Sequence, residues 1–268
     1  MFKHYKMLRI QRLTFVIPKE REDFWPYYGV FFADEYEPLL RNIRHSDIVI
    51  DAGAHVGFFT VPAALKAKEV IAVEPAPDSF KVLAKNIKLN GLNNVILINK
   101  ALSDYEGIGY MSGKGLSATL SRAGTLMVKV TTIDALLKSL RIDHVDVIKM
   151  DIEGSEVRAL KGRFLDRVRI IVVETHGDRN EKAVRTILNA KGFKINTWRF
   201  SAGKCLMRIV KRIPEFVLAE FAVNFAATRA TLKYLLGLGN HPVAPTDPAS
   251  GVKLLIGYKE LDNHKAQL

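Results

Sequence analysis

The sequence predicts an α/β fold: a Rossmann-like seven-stranded sheet, mostly parallel with a terminal antiparallel strand, helices on both faces, and a helical insertion before the last strand. Three observations predict it. From Asp47 onward, short β-branched runs alternate with amphipathic stretches of helical period, the pattern of parallel strands joined by crossover helices. The first run ends in a glycine turn that enters a helix. Of the 268 residues, 48% are hydrophobic and 25% charged, which supplies a sizeable core and excludes a disordered or collagen-like chain.

IVID (48–51) reads as the first strand, buried on both faces, followed by a helix from Phe58 to Lys66. VIAVE (70–74) is the second strand. Asp78 is placed to cap the next helix, whose Phe80, Leu83, Ala84 and Ile87 lie opposite Lys81, Lys85 and Lys88, and Asn90-Gly91 closes it. VILIN (95–99), DVIKMD (146–151) and RIIVVE (169–174) follow as strands three to five. Between the third and fourth, Ile108 to Ser112 and Leu126 to Thr131 predict an added antiparallel pair, and a helix over Ile133 to Leu140 leads into strand four. Gly192 to Asn196 and Val252 to Lys259 predict the terminal antiparallel pair.

The stretch between those last two strands, Arg199 to Gly251, is too long for a simple return and should carry its own structure. Leu206, Ile209, Ile213, Val217 and Phe221 recur at helical spacing, Pro214 suits the start of a second helix to Leu236, and Pro242, Pro245 and Pro248 mark an irregular return.

The formal charge of +12 and pI near 9.7 point to an anionic partner: nucleic acid, a phosphorylated metabolite or a membrane surface. The excess is not uniform. Residues 1–19 hold five basic and no acidic side chains, and residues 199–239 hold seven basic and two acidic, so the rest is almost neutral. Cys205 is the single cysteine, which excludes an intrachain disulfide, an all-cysteine zinc site and a cysteine-ligated iron–sulfur cluster, and favours a reducing compartment. The N-terminus lacks the apolar stretch of a signal peptide. The longest transmembrane candidate, Phe216 to Thr228, is short and interrupted by Glu220 and Asn224. The expectation is a cytoplasmic protein, soluble or peripheral to the membrane.

The segment VIDAGAHVGFFT (49–60) carries the chemistry. A strand, an acidic residue at its end, and Gly53 and Gly57 entering a helix describe a turn where backbone approaches a ligand closely. The dinucleotide fingerprint fails, because its second and third glycine positions hold His55 and Phe58. A phosphate-binding loop fails too, since Gly115 follows Gly113-Lys114 where Ser or Thr is required. The plain alternative is a tight strand-to-helix turn with Glu74 as a helix cap.

Asp-x-Gly-x-x-x-Gly with Glu74 ending the next strand resembles the class I S-adenosylmethionine-dependent methyltransferases. IDAGAHVGFFT, AVEPAPDSFKVLAKNIKLNGLNNV, KALSD, VTTIDAL, IKMDIEGSE and VVETHG narrow the resemblance to FkbM-type methyltransferases over about residues 30–177. The resemblance implies S-adenosyl-L-methionine as cofactor, with Asp51 meeting its ammonium and Glu74 its ribose hydroxyls. Carboxylates at two strand ends suit a cationic sulfonium and would repel a diphosphate. It also implies Gly53, Ala54, His55, Gly57 and Phe58 in the turn, and Pro75, Leu102 and Ser103 around the adenine. His55 departs from the Asn usual there. The implied organisation is a basic arm and lead-in (1–46), a cofactor-binding catalytic core (47–198), the insertion (199–251), and the last strand with its tail (252–268).

In open α/β sheets ligands lie beyond the carboxyl ends of the strands, so Asp151, Glu153, Glu156, Glu174 and His176 are the residues to weigh. Methyl transfer to a hydroxyl needs placement and removal of a proton, for which Asp151 and His176 are candidate bases, with Glu153 beside them. The alternatives are that Asp151 caps the following helix and that His176 is a solvated loop residue. No metal is assigned, although Asp151 and Glu153 leave one open, and Cys205 reads as a packing residue. The resemblance implies O-methylation of a small molecule, sugar or lipid-linked glycan. The rivals are an RNA methyltransferase, which the basic charge favours, and a non-catalytic binding protein that retains the fold. Against RNA, the sequence lacks the Asn/Asp-Pro-Pro-aromatic motif after strand four; Asp151-Ile-Glu-Gly stands there. The insertion, with Phe216, Phe221 and Phe225 near Arg208, Lys211 and Arg212, fits an interfacial helix on an anionic membrane, a substrate lid, a homo-oligomer face, or plain packing.

Overall fold

A computed structural model describes residues 5–18, 24–112, 119–121, 123–199, 202–211 and 252–259. The chain opens with an antiparallel hairpin, β1 (Tyr5–Ile10) and β2 (Leu13–Pro18). The stretch read as a basic arm therefore has a defined fold where it is described. Phe15, Val16 and Ile17 are all buried, while Arg9 and Arg12 face solvent. A short helix α1 (Phe24–Tyr28) runs into a π-turn over Gly29–Ala33, and α2 (Glu37–Asn42) follows.

The sheet begins with β3 (Ile48–Ala52), then α3 (Thr60–Ala64), β4 (Glu69–Val73), α4 (Pro77–Leu89) and β5 (Val95–Ile98). The helix expected from Phe58 starts two residues later, because residues 55–58 are used by the turn. Asp78 does not cap α4. Ala76 holds that position, its N–H bonded to Glu74, and Asp78 pairs instead with Lys81. At the far end Asn90 and Gly91, at φ +65°, close the helix as expected. Asn86 and Asn90 of α4 bond the backbone of Val16 and Thr14, so amide side chains satisfy an edge of β2 and fasten the hairpin to the core.

A small sheet comes next, made of β6 (Ala101–Leu102), β7 (Gly107–Ser112), β8 (Thr119–Ser121) and β9 (Leu126–Thr131). The expected antiparallel pair is β7 with β9, Tyr110 opposite Met127. After α5 (Ile133–Leu140), capped by Thr132, the main sheet resumes with β10 (Val147–Met150), α6 (Glu156–Ala159), β11 (Ile170–His176), α7 (Asp178–Ala190) and β12 (Lys194–Thr197). Helix α8 (Ala202–Lys211) precedes β13 (Val252–Tyr258). The helix expected from Pro214 to Leu236 and the proline-rich return lie outside the described residues.

The seven strands stand in the order β12-β13-β11-β10-β3-β4-β5, with β10, β11, β3, β4 and β5 parallel and β13 antiparallel to both neighbours. This is the predicted α/β sheet. From β3 the chain winds outward to β4 and β5, then crosses back to β10 and β11 on the other side. The order therefore reverses between β3 and β10, and the crevice at their carboxyl ends is where a doubly wound sheet receives its ligand. One buried cluster lies under the hairpin and α4, and a second packs α5, α6 and α7 against the opposite face. Among the described residues no helix is long and apolar enough to cross a membrane.

Candidate active site

Two turns meet at the switch point. After β3, Gly53 (φ +77°) has space for no side chain: a Cβ would stand 1.8 Å from the carbonyl oxygen of Asp151. The glycine thus lets the ends of β3 and β10 close on each other. Gly53 and Ala54 both donate to the Val73 carbonyl, and His55 (φ +52°) donates its N–H to Glu74 Oε2 at 2.8 Å. A left-handed backbone is what Asn tolerates best among side-chain-bearing residues, so His55 occupies a position with a conformational demand. Gly57 (φ +94°) makes room for Leu83 of α4, whose Cδ1 a Cβ there would approach to 2.7 Å.

Asp51 is wholly buried at the end of β3. Thr60 donates its hydroxyl to Asp51 Oδ2, while Oδ1 has no hydrogen-bond partner and lies 3.4 Å from Lys149 Nζ. Lys149, 5% exposed in the otherwise apolar β10, donates to the Gly53 carbonyl at 2.7 Å and stands 3.7 Å from Asp151 Oδ2. Burial opposes its charge, but Asp51, Asp151 and Glu174 outweigh that and hold its pKa above the ordinary lysine value. One ammonium thus joins the first turn to the second.

The second turn follows β10 and carries Asp151, Glu153 (φ +52°) and Gly154 (φ +92°). Beside it His176, the last residue of β11, places Nε2 3.2 Å from Glu153 and 3.8 Å from Glu174, and Nδ1 3.4 Å from Glu156. Buried Glu156 accepts from the Gly154 N–H and from Asn180. Burial disfavours the imidazolium, yet Glu156, Glu153 and Glu174 push its pKa up to about 9. Burial, reinforced by Asp151, lifts Glu153 to about 7 and Glu174 to about 8. Tyr36 donates to Glu174 at 3.3 Å and packs edge-on against Phe59 of the first turn. Glu35, 6% exposed, is raised well above the carboxylate range, first by burial and then by Glu174 and Asp151.

The model of the FkbM methyltransferase domain matches residues 51–195, more than half of the chain and both turns. The chain belongs to that family. Among curated relatives, the hexuronic acid methyltransferase AglP of Haloferax volcanii is 29% identical over 157 residues, covering 56% of this chain and 65% of AglP. Methyltransferase sdnD of Sordaria araneosa is 25% identical over 235 residues, 71% of this chain and 89% of sdnD. A tRNA(Phe) (4-demethylwyosine(37)-C(7)) aminocarboxypropyltransferase of Methanocaldococcus jannaschii is 47% identical over 105 residues, 34% of this chain and 42% of that protein. The chain thus spans just under two thirds of AglP and less than half of the archaeal transferase.

S-Adenosylmethionine is the cofactor of an FkbM methyltransferase domain, and the first turn suits a cationic ligand. Asp51 Oδ1, buried and without a hydrogen-bond partner, is met by the Lys149 ammonium at 3.4 Å, and Glu74 is a second buried carboxylate at the adjoining strand end, accepting from the His55 and Ala76 N–H groups. Leu102 and Ser103 are buried beyond β5, and Pro75 is half-buried. Phe58 differs from expectation. Its ring packs against Phe15 and Tyr27 at 5.1 and 5.5 Å, so its side chain serves the core and only its backbone remains for a ligand. The helix-cap alternative for Asp151 does not hold, since α6 begins five residues later and Glu156 satisfies the amide before it. Cys205 is buried with Sγ 2.9 Å from the Tyr28 hydroxyl, a packing residue as expected.

Sequence reasoning did not single out Lys149, Thr60, Glu35 or Tyr36. Lys149 had a signal: a lone charge in a strand otherwise buried on both faces must be paired. Glu35 and Tyr36 precede the first strand of the sheet, and no local pattern places them at its far end.

Proposed function

We propose that this FkbM domain transfers the methyl group of S-adenosylmethionine to a hydroxyl oxygen of a small molecule, sugar or lipid-linked glycan. The observation that carries the reading is the juxtaposition of the two turns: the acid cluster of β10 and β11 directly adjoins the turn that suits the cofactor. When bound, the cofactor supplies an electrophilic methyl on a sulfonium leaving group. Asp51 and the Gly53–His55 backbone hold the methionine end, Glu74 the ribose hydroxyls, and Leu102, Ser103 and Pro75 the adenine. Asp151, half-buried and facing the crevice, takes the proton of the acceptor hydroxyl. With no cation bound, His176, held by three carboxylates, is their counter-charge rather than the base. A hexuronic acid substrate in AglP's name supports a sugar acceptor.

The test is incubation with methyl-labelled cofactor and extract of the source cells, followed by separation into RNA, lipid, protein and small molecules. Label in the small-molecule or lipid fraction, lost with Asp151→Asn, is expected. Label in nuclease-sensitive material would instead establish the second reading, an RNA methyltransferase, which the 47% identity to a tRNA-modifying enzyme supports. We also place the protein in the cytoplasm, with contact to an anionic membrane through α8, where exposed Met207 and Val210 stand near exposed Lys204 and Lys211, while Arg208 pairs with Asp34. Flotation with anionic liposomes tests this: protein remaining at the bottom of the gradient removes it.

A further inference from the structure

Acidic side chains and one histidine crowd a single point beyond the carboxyl ends of the central strands. Asp51, Asp151, Glu153, Glu156, Glu174 and Glu35 converge at the ends of β3, β10 and β11, and the cations acting on them are Lys149 and His176. Within the cluster one carboxylate oxygen of Asp151, one of Glu153 and one imidazole nitrogen of His176 lie within 4.8 Å of one another. A cation bonded at about 2.0–2.3 Å needs ligands roughly 3–4.5 Å apart, so this spacing is close to that of a coordination shell.

Two further features of the structure point the same way. Glu35 is more than nine-tenths buried, its Oε1 has no hydrogen-bond partner, and it directly precedes Tyr36, whose hydroxyl donates to Glu174 in β11. Gly29 exists to admit it, because a Cβ there would stand 2.2 Å from Glu35 Oε2. A buried carboxyl oxygen without a hydrogen-bond partner is costly unless a further group meets it. His176 turns Nε2 toward Glu153 at 3.2 Å, while its buried Nδ1 lies 3.4 Å from Glu156, itself fixed by Gly154 N–H and Asn180, without closing a hydrogen bond.

We propose that Asp151, Glu153 and His176 bind a divalent cation, with open positions that take oxygens of the methyl acceptor. Two carboxylates and one imidazole suit a borderline-hard ion such as Mn2+, which accepts both donor types and keeps further positions for water or hydroxyls. The proposal deepens the hydroxyl-transfer reading and rests on it for the acceptor. It adds a preference for acceptors with adjacent oxygens, such as a vicinal diol or a hydroxy acid. It also resolves a charge problem, since an anionic sugar would be repelled by the carboxylates unless a cation bridged them.

The experiment is titration of Mn2+ alone into the full chain, following free Mn2+ by electron paramagnetic resonance, with S-adenosylmethionine calorimetry on the same samples. One Mn2+ per chain is expected, with affinity about tenfold weaker or worse in both Glu153→Gln and His176→Gln. Asp166→Asn, an exposed carboxylate paired with Lys191, should bind as the parent does. The two site variants are read independently, so one that fails to fold leaves the other to decide. Absence of stoichiometric Mn2+ in the parent, or unchanged affinity in a folded variant, overturns the proposal and leaves the cluster as an ion-pair network around protonated His176. Loss of cofactor heat in the parent is a separate result, and it would strike the methyltransferase reading instead.

Discussion

At the residue scale, Lys149 carries the most information. Its ammonium stands among Asp51, Asp151 and the Gly53 carbonyl, and without it the wholly buried Asp51 would keep only the Thr60 hydroxyl on one oxygen. Removing one partner of a buried charge pair costs about 3–5 kcal/mol, far more than deleting a surface pair. Lys149→Met should therefore lower unfolding free energy by that order in urea and weaken cofactor binding; a loss below about 1 kcal/mol would show that the ammonium is not holding the turns. Glu35 makes a prediction of opposite sign. Its folded-state pKa lies above the unfolded value, so the folded protein binds the extra proton, and stability falls as pH rises from the unfolded toward the folded pKa. Glu35→Gln removes that penalty. Its melting temperature should match the parent's near pH 4 and exceed it increasingly toward pH 8, measured without added metal. A difference that does not grow with pH would contradict the burial of an ionisable, unpartnered carboxylate.

At the scale of elements, the N-terminal hairpin is the instructive case. Its basic residues read as an arm for an anionic partner, but β2 serves the core: Phe15 meets Phe31 and Phe58, and the strand's backbone is bonded by Asn86 and Asn90. Phe15→Ala should cost about 3–5 kcal/mol, as for a fully enclosed aromatic. Urea unfolding followed by fluorescence and circular dichroism should remain one coincident transition. A separate early transition would mark the hairpin as an appendage. The strands and α5 were legible because each is a local matter of β-branched runs, hydrophobic period and a Thr132 cap. The hairpin's docking was not, because Asn86 and Asn90 look like solvated helix residues until a strand some 70 positions earlier arrives beside them. Likewise Asp78 looked like a cap, yet Pro77 and the Glu74 bond to Ala76 had already set the start of α4.

Across the whole molecule, the sheet order places chemistry from distant stretches of chain at one crevice. Asp51, Gly53 and Glu74 were readable as a motif. Asp151, Glu153 and His176 were readable as strand ends, and the structure brings those three together. What the sequence could not reveal is that Glu35 and Tyr36, from the lead-in, close over the same point, since that depends on the π-turn at Gly29–Ala33 and on the space beside Gly29. Basic charge remains a surface property: the exposed Arg9 and Arg12 and the cations of α8 surround a fold whose reactive centre is acidic.

In the proposed function the turn after β3 binds S-adenosylmethionine and presents its methyl to the carboxylates after β10. Isothermal calorimetry with S-adenosylmethionine on the parent, Glu74→Gln and Asp151→Asn proteins tests it most directly. One site per chain is expected, with affinity at least about tenfold weaker in Glu74→Gln, in line with loss of a charge-assisted pair, and binding largely retained in Asp151→Asn. No heat with the parent protein, or equal affinity in a folded Glu74→Gln variant, would contradict it.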